Sequence, residues 1–153
     1  MNRREMMLGW LDGNLGFSYT PAAFFMHFPP ECHAGQAAID KHLEYFRYTG
    51  MDFVKIQYEF PFPHRPDLQS PDDWAAMPLY GREFFREQLN VVEGLVEAID
   101  GEALIIQTLY SPFMSAGHTT SDATITDHLK RAPGKVKQGL EVITESTLRF
   151  VRA

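Results

Sequence analysis

The seven residues His27 to His33 (HFPPECH) hold two imidazoles, a carboxylate and a thiol: His27, Glu31, Cys32 and His33. All four side chains are of the kinds that bind zinc. Their spacing matches no standard zinc motif, and a single loop rarely holds every ligand, so no metal site is assigned. His27 is taken as a catalytic candidate that touches substrate, with Cys32 and His33 as loop packing. A second concentration of chemistry lies in DFVKIQYEF, Asp52 to Phe60. In a strand, Phe53, Lys55, Gln57 and Glu59 fall on one face and Val54, Ile56 and Tyr58 on the other. The polar face forms a column leading toward a site; Gln107, on a later strand, joins it. Lys55 needs a partner if buried. Glu59, four residues along, is too far away for direct contact. A structural ion pair with another strand is the equal alternative to a functional column. Lys55, Gln57, Tyr58 and Gln107 are candidate substrate contacts.

Other polar groupings are weaker. His64-Arg65-Pro66-Asp67 could meet a substrate or a cation. Asp72-Asp73 before Trp74 reads as a solvated helix cap. His118 to Asp122 contains Ser, His and Asp but no nucleophile elbow, so no hydrolase triad is read there. The chain has no P-loop and no GxGxxG, which leaves nucleotide binding without support.

The elements that must position these residues follow from periodicity. Three short apolar runs, Ala22 to Phe28, Asp52 to Phe60 and Ala103 to Tyr110, read as buried strands. Each precedes a loop and a helical pattern. Ile39, Leu43 and Phe46 mark a first helix over 36–48, with Gly50 as its stop. Phe85, Leu89, Val92, Val96 and Ile99 mark a second, after a loop whose prolines at 61, 63, 66 and 71 block regular structure. Ser111 to Asp122 reads as a small-residue loop, Thr124 to Arg131 as a short helix, and Val136, Leu140, Ile143 and Thr147 as a final apolar stripe. Alternating strands and helices predict an α/β fold with a parallel sheet. Three strands leave two hydrophobic edges uncovered. No charge run, low-complexity tract or repeat marks a boundary, so 1–153 is read as one segment.

Composition narrows the function. At 153 residues the chain is about one domain long. Fourteen Lys and Arg against twenty Asp and Glu give a net charge of −6, and 44% of residues are hydrophobic. That composition suits a soluble globular protein. It lacks the clustered cations of a phosphate-backbone binder, so nucleic acid is not an expected partner. One cysteine excludes an intrachain disulfide and fits a reducing compartment. Glu5 and Asp12 bracket the short apolar run at the N-terminus, which suits neither a signal peptide nor a membrane span. The expected location is the cytoplasm.

Several segments, in order, resemble the uroporphyrinogen decarboxylase superfamily, which also contains corrinoid-dependent methyltransferases. Arg3-Arg4-Glu5 with Gly13 is similar to the family's leading helix, and Met51 to Ile56 (MDFVKI) to its second barrel strand. Leu104 to Ala116 (LIIQTLYSPFMSA) resembles the third strand and its Gly-x-Pro-aromatic turn, with Ser111, Pro112 and Phe113 here. His128-Leu129, Pro133 and the stripe to Val151 are similar to the next helical segment. The resemblance covers most of the chain.

It implies the first part, about three βα units, of a TIM-type (β/α)₈ barrel, an architecture of about 250 residues with its active site at the strand C-termini. Alone, such a segment is expected to be inactive, completed by the rest of the barrel or by a second copy of the chain. By resemblance, Glu59 stands where the decarboxylase has its essential aspartate and is the second catalytic candidate, and Phe113 becomes a substrate contact. The decarboxylase also has an arginine-rich loop after strand one, suited to a substrate with many carboxylates. FFMHFPPECHAG contains no arginine. The expectation is therefore a branch closer to corrinoid-linked methyl transfer to or from a small substrate. That branch implies corrinoid and zinc, with zinc ligands mainly in the second half of the family's chain, beyond residue 153. The alternatives are cofactor-free uroporphyrinogen decarboxylation and a non-catalytic association module.

Overall fold

The computed structural model describes residues 2–14, 20–56 and 62–153. They pack as two compact units, each built from two stretches of chain: Met1–Glu59 with Glu87–Thr108, and Phe60–Arg86 with Leu109–Ala153.

The first unit contains helices α1 (Arg3–Leu11), α2 (Gly35–Thr49) and most of α3 (Arg86–Ile99), with strands β1 (Phe53–Ile56) and β2 (Leu104–Gln107). The strands pair in parallel, Phe53 beside Leu104 through Ile56 beside Gln107, so α3 is the crossover of a β-α-β unit. Among the described residues this is an α/β arrangement whose sheet has two strands. Helix α2 forms because Ala38, His42, Leu43 and Phe46 share its buried face. It stops at Gly50, whose left-handed backbone (φ 66°) lets its N–H reach the Phe46 carbonyl. Val54 and Ile56 of β1 are fully buried against α2 residues and against Val91, Leu95 and Ile99 of α3. Helix α1 is opened by a capping box of Asn2 and Glu5. It is tied to the turn before β2 by the Arg4 N–H on the Glu102 carbonyl (3.0 Å) and by the Arg3–Glu102 ion pair.

The expected first strand, Ala22 to Phe28, is not a strand. Its backbone groups engage residues just before β1 instead: the Ala22 N–H donates to Asp52 Oδ2 (2.7 Å), the Phe24 N–H to Met51 Sδ (3.0 Å), and the Ala22 carbonyl accepts from Asp52 N–H (3.0 Å). Donors spent on side chains cannot build a ladder. The α3 stripe is also rotated from its expected setting. Val91, Leu95 and Ile99 are buried with Gln88 and Leu89, whereas Val96 is 55% exposed.

The second unit contains α4 (Pro112–Thr119), α5 (Asp122–Arg131), α6 (Pro133–Arg152) and a 3₁₀ turn at Pro71–Ala76. Its core surrounds Trp74, which is fully buried among Phe62, Leu68, Ala116, Ile125, Val136 and Ile143. Gly139 permits this packing: a Cβ there would lie 2.5 Å from the Trp74 ring. Helix α4 replaces an expected loop. The Ser111 hydroxyl caps it by accepting from Met114 N–H (3.2 Å), Pro112 suits its first turn, and its small residues Ser115, Ala116 and Gly117 are buried. Asp73 closes the 3₁₀ turn, its carboxylate accepting from the Ser70 and Gln69 N–H groups (2.7 and 3.1 Å). Helix α6 buries Val136, Gly139, Ile143, Ser146 and Phe150. Among the described residues, no helix is long and apolar enough to cross a membrane.

Candidate functional site

In the first unit, the C-terminal ends of β1 and β2 bring Lys55 and Gln107 together with a residue the sequence did not single out, Gln88. Lys55 Nζ donates to the Thr108 hydroxyl and to the Ile56 carbonyl (2.9 Å), and stands 5.4 Å from the Phe25 ring centroid. Its charge is thus met by a hydroxyl, a carbonyl and an aromatic face. Gln107 sits beside it: its Nε2 donates to the Thr108 carbonyl (2.9 Å), and its Oε1 accepts from Gln88 Nε2 (2.7 Å). Gln88, on the first turns of α3, is 1% exposed.

The amide chain Gln88–Gln107–Thr108 is fully directional, and it leaves one acceptor over. Gln88 Oε1 is buried and has no hydrogen-bond partner among the described residues. A buried orphan acceptor costs free energy, on the order of 1–3 kcal/mol, unless something donates to it. The sequence signal for Gln88 was only a polar residue next to Leu89 on a helix that otherwise buries apolar side chains. Gln57, Tyr58 and Glu59 lie outside the described residues.

His27 is exposed, with its ring edge-on to Phe25 at 4.5 Å. Phe25 therefore touches both His27 and Lys55, and it is the element that brings the catalytic candidate beside the strand-end cluster. The rest of the HFPPECH loop turns to structural work. His33 Nε2 pairs with the Phe28 carbonyl (2.7 Å), and Cys32 is half-buried. Among the described residues, no three His, Cys, Asp or Glu side chains gather where they could hold a metal ion. Behind this loop, His42 is buried and donates from Nδ1 to the Ala38 carbonyl (2.6 Å). Burial holds its pKa below the ordinary value, and the nearby positive charge of Lys55 lowers it further.

Phe113 belongs to the second unit, on the first turn of α4, and is 51% exposed. The same unit contains an open groove of about 530 Å³ between the 64–69 segment and α5, lined by His64, Arg65, Thr124, Asp127, His128 and Arg131 among others. Arg65 is clamped by Asp67 through two parallel bonds, Nε to Oδ1 (2.8 Å) and Nη2 to Oδ2 (2.5 Å). That fork lowers the Asp67 pKa to about 2 and raises that of Arg65 further. Asp72, by contrast, pairs with Lys135 at 3.2 Å on the surface.

The strand-end cluster can therefore orient a polar ligand by one cation and a set of amide donors and acceptors, with aromatic surface beside them. Comparison of the chain with protein-family models, with curated proteins and with solved structures gives no significant match.

Proposed function

We propose that this chain is the N-terminal part of a uroporphyrinogen-decarboxylase-like barrel, in a branch that performs corrinoid-linked methyl transfer to or from a small substrate. One observation carries the proposal: a parallel β-α-β unit gathers Lys55, Gln107 and the unsatisfied Gln88 Oε1 at the C-terminal ends of its strands, where barrel enzymes build their sites. In this reading Lys55 attracts an electron-rich substrate atom, Gln88 Oε1 accepts from a substrate N–H or O–H, and Gln107 fixes the orientation of Gln88. His27 moves a proton at the exposed edge of the site, and Glu59 is the second catalytic group. Gln57 and Tyr58 complete the substrate contacts.

The arginine-free segment 24–35 favours this branch over decarboxylation of a polyanionic tetrapyrrole. Zinc does not fit the described residues, which gather no set of ligands for it, so no step here is routed through a metal. A corrinoid would supply the methyl-carrying centre, and this chain's part is to bind and orient the acceptor.

The test is a titration of the completed barrel, this chain together with the rest of the barrel or a second copy, with methylcobalamin, followed by visible absorption. A saturable spectral change supports the reading, and an unchanged corrinoid spectrum removes it. The decarboxylase alternative is established by the appearance of lower-carboxylated porphyrinogens from uroporphyrinogen. An oligomer that tightens with concentration, binding neither corrinoid nor porphyrinogen, favours the association module.

A further inference from the structure

The groove of the second unit is not used by the reading above. In a protein of net charge −6, its lining holds two guanidiniums, Arg65 and Arg131, each paired with one carboxylate, Asp67 and Asp127. Its volume of about 530 Å³ lies within the range of small-ligand sites.

The two guanidiniums are held differently. Arg65 is fixed by the Asp67 fork, so little further ordering is needed for its remaining N–H groups to meet a ligand. Among the described residues, Arg131 is held by an exposed pair with Asp127, four residues earlier on α5 (3.1 Å). Such pairs are weak, and this one can open toward a better acceptor. The Thr124 hydroxyl, also on the lining, pairs with Ser121 Oγ (2.8 Å). His64 is exposed at the rim. The wall is fixed by His128, whose two ring nitrogens engage the Trp74 N–H and the Gln69 carbonyl. A rigid wall, one preset guanidinium, one releasable guanidinium and a hydroxyl form a set suited to an oxyanion.

We propose that this groove binds a small molecule through an oxyanion group, a phosphate or a carboxylate, held between Arg65 and Arg131. The proposal is independent of the corrinoid reading, since it concerns other residues and another unit.

The test uses the full chain and two probes, inorganic phosphate and succinate, titrated at low ionic strength while the His64 imidazole signals are followed by NMR. Saturable shifts are expected with at least one probe, and the tighter of the two identifies the anionic group. R131Q, at an exposed position, is expected to weaken that binding by about tenfold. R149Q, on α6 and outside the groove lining, should leave it unchanged. Far-UV circular dichroism checks that both variants fold. Absence of a saturable shift with both probes, or equal binding by the wild type and R131Q, overturns the proposal.

Discussion

Trp74 and His128 are the pair whose removal should say most about the second unit. Trp74 is fully buried and His128 is 3% exposed. The indole N–H donates to His128 Nδ1 at 3.0 Å, so Nδ1 must be the unprotonated nitrogen, and the Nε2–H faces the Gln69 carbonyl at 3.2 Å. His128→Leu keeps an apolar body of similar reach but strands the indole donor in the core, at a cost of about 1–3 kcal/mol. With a urea dependence of about 2 kcal/mol per M, a 2 kcal/mol loss lowers the midpoint by about 1 M. Trp74→Phe strands Nδ1 instead and also leaves a void. The double variant removes both polar atoms, so it should be less destabilised than the sum of the singles by about 1–3 kcal/mol. Urea unfolding followed by far-UV circular dichroism provides the cycle, and hydrogen exchange of α5 and α6 amides places the loss in this unit. Strict additivity of the two substitutions would refute the argument that the Trp–His bond locks this core.

The two crowded helical glycines should respond in opposite ways. Gly139→Ala places a methyl 2.5 Å from the Trp74 ring and 3.2 Å from its backbone oxygen, neither of which can yield, and should cost about 1–3 kcal/mol in denaturation. Gly94→Ala meets only the Ile39 side chain, whose end can rotate, and the helix-propensity gain of about 1 kcal/mol should leave stability near or above wild type. His42 has a lowered folded-state pKa, so the unfolded chain binds the proton more readily. Its contribution is fully present above the ordinary value of about 6.5 and is lost as pH falls through the folded value. Thermal melts between pH 5 and 7.5 should therefore show a smaller decline on acidification in H42Q than in the wild type. Gln88→Leu removes the orphan acceptor but also the Nε2–H donor to Gln107 Oε1, two opposing effects of about 1–3 kcal/mol each, so melting temperature should stay near that of the wild type, while in the proposed reading substrate binding is lost, which calorimetry would show.

The helices were legible wherever a stop signal and a one-sided stripe coincided, as at Phe46 and Gly50 of α2. Position on the face was less legible. On α3, Val92 and Val96 fit an apolar spacing as well as Val91 and Leu95 do, and only the location of β1 decides which pair is buried. The run Ala22 to Phe28 has every local property of a strand, but Asp52 and Met51 offer its N–H groups side-chain acceptors that no window-based reading could locate. Lys55 and Gln107 were legible because strand alternation puts polar residues on one face. Gln88 was not, since its role arises from a pairing nineteen residues away. Helix α4 was hidden by its small residues, which look like a loop until Ser111 is seen to cap them.

The interleaving of the two units along the chain has a consequence for synthesis. Each unit is made of two stretches, and each encloses part of the other in sequence. No single cut releases either one intact, so limited proteolysis should yield nested fragments that stay associated rather than separable domains. On the ribosome, β1 must wait for β2, with the whole 62–86 segment already made and still lacking α4 to α6. At about 5–20 residues per second, the span from Leu109 through α6 takes about 2–9 s to emerge, during which Trp74 and its apolar neighbours have no core to enter. The nascent chain thus passes through an obligatory interval of exposed aromatic surface, and it is there, more than in the finished fold, that it would depend on chaperones.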